Sequence, residues 1–82
     1  MFMGIKNAVV VRFRQLCESK NIKLNELAVR SGVTPSTVYS MFDESRKDVS
    51  IITIKKLCDG LDISISDFFD SEIFRSLDQE IV

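Results

Sequence analysis

Histidine and tryptophan are missing from this 82-residue chain, which also has one proline, three glycines and two cysteines. Without histidine, a glycine-rich phosphate loop or a cluster of metal-ligating residues, the usual means of acid–base and metal-assisted catalysis are missing. No enzyme, metal or cofactor is therefore expected. The carboxylate pair Asp43-Glu44 falls at a helix end, where exposure accounts for it. Two cysteines are too few for a disulfide scaffold, and Cys17 and Cys58 sit on apolar helical stripes beside Leu16 and Leu57. They read as small core hydrophobes in a reduced cytosol. No apolar run is long enough to span a bilayer, and no basic leader precedes a signal-type apolar stretch. A soluble, cytoplasmic chain with no membrane partner is expected. Its length allows one small domain and no separate sensor domain, so no small-molecule ligand is evident. Stability must come from compact helix packing or from a partner subunit.

The net charge of −1 hides a polarised chain. Residues 1–30 carry +4, residues 31–58 carry +1, and residues 59–82, with Arg75 as their one basic residue, carry −6. A basic front and an acidic tail imply weak binding to arbitrary nucleic acid, since few phosphates can be neutralised.

Apolar spacing predicts only helices. Val9, Val10, Phe13, Leu16 and Cys17 form the inward stripe of a first helix over Lys6–Ser19. Asn21-Ile22-Lys23 leads to a second helix, Leu24–Ser31. Thr34 is a helix cap followed by Pro35 at the first helical position, where a missing N–H costs nothing, and this third helix ends near Asp43. After the polar loop Glu44–Val49, Ser50 caps a fourth helix with Ile51, Ile54, Leu57, Cys58 and Leu61 inward. Asp62 turns the chain, and Ser64 with Asp67 marks a short fifth helix carrying Phe68 and Phe69. In the tail, Ile73, Phe74, Leu77 and Ile81 recur at helical spacing, the pattern of a sixth, acidic helix. The chain thus divides into a helical domain, residues 1–70, and an acidic amphipathic tail, residues 71–82.

The segment LNELAVRSGVTPSTVYSMF, Leu24 to Phe42, is the most informative. Leu27 and Val33 bury beneath a corner between two helices. Ala28 must be small because the next helix crosses close above it. Gly32 ends the first of the pair at positive φ without a Cβ penalty, and Val38 and Met41 form the inward stripe of the second.

These blocks, with SIITIKKLCDGLDISISDFF after them, resemble the Cro/repressor-type (Xre) helix-turn-helix family over roughly Phe13–Phe69. The resemblance implies an all-α, five-helix lambda-repressor-like DNA-binding domain whose third helix lies in the major groove of double-stranded DNA. It also implies a small transcriptional regulator, in the repressor role, that pairs as a homodimer on two half-sites. The family's base-reading positions match Pro35, Ser36 and Ser40, with Thr37 and Tyr39 flanking. No Arg, Asn or Gln is there for a bidentate base contact, so a soft readout with a share from DNA shape is expected. Lys23, Arg46 and Lys47 are the phosphate candidates. Lys23 stands where relatives usually place Ser, Thr or Asn, Leu24 where Gln is common, Asp48-Val49 where Asn-Pro is frequent, and Asp62 where Gly is. Ile73, Phe74, Leu77 and Ile81 are candidates for the dimer interface, or else they close the core of one subunit. A rival from another class is a protein-interaction module, such as an antitoxin or adaptor, that keeps the fold without touching DNA.

Overall fold

Three of the five α-helices end in the same way, with one residue in the left-handed region that satisfies the last carbonyls. In the computed structural model, which describes residues 4–81, α1 (Ile5–Lys20) stops at Asn21, φ 55°, and Ile22 N–H reaches back 2.9 Å to Cys17 O. α2 (Leu24–Ser31) stops at Gly32, φ 70°, with Val33 N–H 3.1 Å from Ala28 O. α4 (Ile51–Gly60) is followed by Asp62, φ 60°, with Ile63 N–H 3.0 Å from Cys58 O. Asn, Gly and Asp are the residues that tolerate this conformation. The Asp that stands for the family's Gly is thus accommodated.

The predicted starts hold as well. Thr34 Oγ1 accepts Thr37 N–H at the start of α3 (Pro35–Phe42). Ser50 Oγ accepts the N–H groups of Ile52 and Thr53 at the start of α4. Ser64 Oγ accepts Asp67 N–H at the start of α5 (Ile65–Phe69). No strand occurs among the described residues.

The core gathers Val9, Phe13 and Cys17 of α1, Leu27 and Ala28 of α2, Val38 and Met41 of α3, Ile54, Leu57 and Cys58 of α4, then Leu61 and Phe68. Phe68 is its aromatic hub, with ring centroids 4.3 Å from Phe13, 4.9 Å from Phe69 and 5.8 Å from Phe74. Both cysteines are free and buried, and burial raises both thiol pKa values, that of Cys58 to about 11. They pack as hydrophobes.

Two expectations fail. Ile51 is not part of the inward stripe of α4: it is 61% exposed, and its neighbour Ile52 65%. Nor do the described tail residues form a sixth helix. A single 3-10 turn, Glu72–Phe74, is followed by irregular chain. Phe74 turns onto Phe68 and Phe69, Ile73 and Leu77 are half-buried, and Ile81 is exposed, so these four do not form one outward stripe. The tail instead returns to α1, where Glu80 Oε2 accepts Ile5 N–H at 3.0 Å. Gly4, the residue at the N-cap, has no side chain to do this, and a carboxylate suits the positive end of a helix.

α2 and α4 touch at their C-terminal ends, where Gly60 faces Ser31. A Cβ at residue 60 would lie 2.1 Å from Ser31 Oγ and 3.1 Å from Ser31 N. Gly60→Ala is expected to cost about 1–3 kcal/mol by overpacking, measurable by urea unfolding. Ser31 Oγ is buried and has no hydrogen-bond partner among the described residues. Ser31→Ala alone should therefore be neutral or stabilising, and combined with Gly60→Ala it should recover most of the loss. An undiminished loss in the double variant would place the strain elsewhere.

Candidate nucleic-acid interface

Gly32 and the Thr34-Pro35 start set α3 against α2 so that only one side of α3 can be buried. Val38 and Met41 take that side. Pro35, Ser36, Tyr39 and Ser40 are exposed on the other, while Thr37 is half-buried. Thr34 Oγ1 is a hub at the tip: it lies 3.0 Å from both Ser36 Oγ and Thr37 Oγ1 besides accepting the Thr37 N–H. Of the five expected base-facing residues, then, four present their side chains outward and Thr37 turns partly back into the cap.

Three tethers fix this face. The Tyr39 hydroxyl donates to Asn25 Oδ1 of α2 at 3.0 Å, spanning the corner on its outer side. At the far end Lys6 Nζ of α1, 9% exposed, donates to Asp43 O at 2.8 Å and so caps the C-terminus of α3. Beyond it, Asp43 Oδ1 accepts the N–H and the hydroxyl of Ser45, starting the loop to α4. These hydrogen bonds, with smaller help from Arg46 and Lys6, hold the Asp43 carboxyl below its ordinary pKa. A lowered carboxylate pKa adds stability that is fully present above the unfolded value, about 3.9, and disappears as pH falls through the folded one. Asp43→Ala is thus expected to flatten the acid limb of a stability–pH curve below about pH 4, with no change in slope near neutrality. An unaltered acid limb would remove this loop anchor.

Much of the basic front is engaged inside the fold. Arg12 Nε and its terminal NH2 nitrogen donate to Phe68 O and Asp67 O at 2.8 and 2.9 Å, closing the C-terminus of α5. Arg14 lies over the Phe42 ring, 4.7 Å from its centroid, and Arg30 pairs with Glu26. Lys23, Arg46 and Lys47, by contrast, are exposed and have no side-chain hydrogen bond or ion pair among the described residues. Lys23 occupies the N-cap of α2 in extended conformation and makes no cap bond, so the first N–H groups of α2 lack a side-chain partner there. Arg46 and Lys47 lie in the loop between α3 and α4. Arg46 and Asp48 line a shallow pocket of about 140 Å³ with Thr37, Ser40 and Met41 of α3 and Ser50 and Thr53 of α4. The start of α4 is therefore next to the far end of the exposed face. Sequence reasoning missed Asn25, Lys6, Arg12 and Glu80; each acts across the chain, and no local pattern marks it.

A glycine-cornered helix pair on a helical core, with a small polar face turned outward and exposed basic residues before α2 and after α3, defines a helix-turn-helix domain. The profile of the Cro/C1-type HTH DNA-binding domain matches residues 12–72. The chain belongs to this family. The solved structure described as the crystal structure of the prophage Lp1 protein 11 superposes with a TM-score of 0.81 at 32% identity, covering 94% of this chain and 100% of that one. No curated protein matches. Among the described residues no helix is long and apolar enough to cross a membrane, and no group of His, Cys, Asp and Glu residues is arranged to hold a metal ion.

Proposed function

We propose that this chain binds double-stranded DNA sequence-specifically as a small cytoplasmic transcriptional repressor, without catalysis, as a homodimer on two half-sites. α3 enters the major groove, whose width admits one helix. The observation that carries this reading is the outward set Pro35, Ser36, Tyr39 and Ser40, with exposed Lys23 before α2 and exposed Arg46 and Lys47 after α3, none of the three in an ion pair among the described residues. Short hydroxyl side chains let the backbone of α3 approach the base edges closely, Pro35 and the Tyr39 ring suit thymine methyl groups, and cations before α2 and after α3 suit the phosphate strands bordering one groove. Lys23 with the uncapped N–H groups of α2 forms an anion-binding end.

Selecting bound duplexes from a random pool tests the reading. An enriched motif, with two half-sites about one helical turn apart, is the expected result. Ser36→Ala and Ser40→Ala should then shift base preference by about 1 kcal/mol at their own positions. The fold should survive both, since Thr34 keeps its bond to Thr37 N–H. A pool that stays random after selection would favour a protein partner for the same face.

A further inference from the structure

We propose that a second copy of this chain docks on the N-terminal turn of α4, through Ile51 and Ile52, with the tail left out of the interface. The inference rests on the dimeric reading above and names the surface that reading lacks. Ile51 and Ile52, 61% and 65% exposed, are adjacent β-branched aliphatics in the first turn of a helix otherwise charged on its outer side. The tail has no comparable pair: Phe74 is engaged with Phe68 and Phe69, and Glu80 with the start of α1.

Charge selects the occupant. On the outer side of α4, Lys55 pairs with Asp59 within the helix, whereas Lys56 is exposed and has no ion pair among the described residues. Asp48, in the loop two residues before the Ser50 cap, is also exposed and has no ion pair among the described residues. A two-fold axis beside Ile52 runs the two copies antiparallel. Each isoleucine pair then meets its own image, and each Asp48 approaches the partner's Lys56. Such a surface complements itself, and a partner of uniform charge would leave one of the two groups unmatched. The site also joins the right ends, because the start of α4 shares a pocket with Thr37, Ser40 and Met41. Two α3 helices would thus face the same duplex from either side of the axis.

Four isoleucines bury far less than the roughly 1,600 Å² of a standard interface. The pairing is therefore weak in free solution and takes effect when a duplex holds both copies at high effective concentration.

Two experiments decide. With copper phenanthroline as the oxidant and protein at high concentration without DNA, Ile52→Cys is expected to cross-link at least tenfold faster than Ile81→Cys. The buried thiols of Cys17 and Cys58 should stay silent, which makes the comparison clean. The reverse order would move the interface to the tail, and slow cross-linking at both sites would overturn the proposal. On DNA, Ile52→Asp is expected to lower affinity for a two-half-site duplex by on the order of 10²-fold and to leave affinity for a single half-site unchanged. An acidic residue in a first helical turn is favourable, so the fold is kept. An equal loss on the single half-site would make Ile52 a DNA contact and contradict the interface. If even the unaltered chain fails to bind either duplex, the DNA reading falls, while the cross-linking result still judges the docking surface. Asp48→Lys and Lys56→Asp should each weaken two-site binding, and together restore it.

Discussion

Phe68→Ala is expected to remove about 3–5 kcal/mol of folding stability, the largest loss from any single truncation in the chain. Phe68 is fully buried and touches three other aromatic rings, from α1, from its own helix and from the tail turn. The hole would therefore be lined by parts of the chain that cannot all move inward together. The backbone carbonyl of the same residue accepts from Arg12, so slackening α5 also loosens the α1–α5 tie. Small domains have about 0.05–0.15 kcal/mol of stability per residue, and a loss of this size leaves the chain near its unfolding midpoint. Urea unfolding followed by circular dichroism would show it. A loss under about 1 kcal/mol would mean that the aromatic cluster is not the centre of the core.

Removing all three flanking cations, in the triple variant Lys23→Ala, Arg46→Ala, Lys47→Ala, is expected to reduce the salt slope of DNA binding by about 2.7 per subunit, at 0.9 per phosphate. If counterion release is the whole effect, affinity near 0.1 M salt falls by roughly two to three orders of magnitude. The loss should be the same on every sequence, because phosphate contacts carry no base information. Stability should hardly change, since none of the three side chains makes a hydrogen bond or ion pair among the described residues, and Arg46 gives only minor help to the Asp43 carboxylate. Binding titrations over a range of salt concentrations separate the outcomes. A reduced slope with intact base preference supports the assignment. An unchanged slope would place the phosphate contacts on other residues.

The helices and their punctuation were legible because they are set by neighbours in sequence. Thr34, Ser50 and Ser64 cap the N–H groups two or three residues on, and Gly32 and Asp62 take the left-handed turns that stop α2 and α4. The core was readable for the same reason: 3.6-residue periodicity places Val38 with Met41 and Leu57 with Cys58. Periodicity failed where a stripe extends beyond the surface available to cover it. Ile51 has the right spacing from Ile54, yet none of the described residues covers it and it stays exposed. Ile73, Phe74, Leu77 and Ile81 have helical spacing too. A segment this short nucleates a helix poorly, and Phe74 and Glu80 make better contacts with Phe69 and with Ile5 N–H than a continuous helix would allow.

The candidate site was legible in part. The outward position of Pro35, Ser36, Tyr39 and Ser40 follows from the burial of Val38 and Met41. Its supports do not follow, because Lys6 reaches Asp43 across 37 residues and Arg12 reaches Phe68 across 56. The charge distribution misled for the same reason. Lys6 and Arg12, counted in a basic front, close the ends of α3 and α5, which leaves Lys23, Arg46 and Lys47 nearer the proposed groove.

The outward face of α3 as the surface that meets DNA is tested most directly by following backbone amide signals of the labelled protein as a mixed-sequence duplex is added at low salt. The largest changes are predicted at Ser36, Tyr39 and Ser40, then at Lys23, Arg46 and Lys47, with the acidic segment after Asp70 still. Changes concentrated on that segment or on the outer side of α1, with α3 unmoved, would contradict the account.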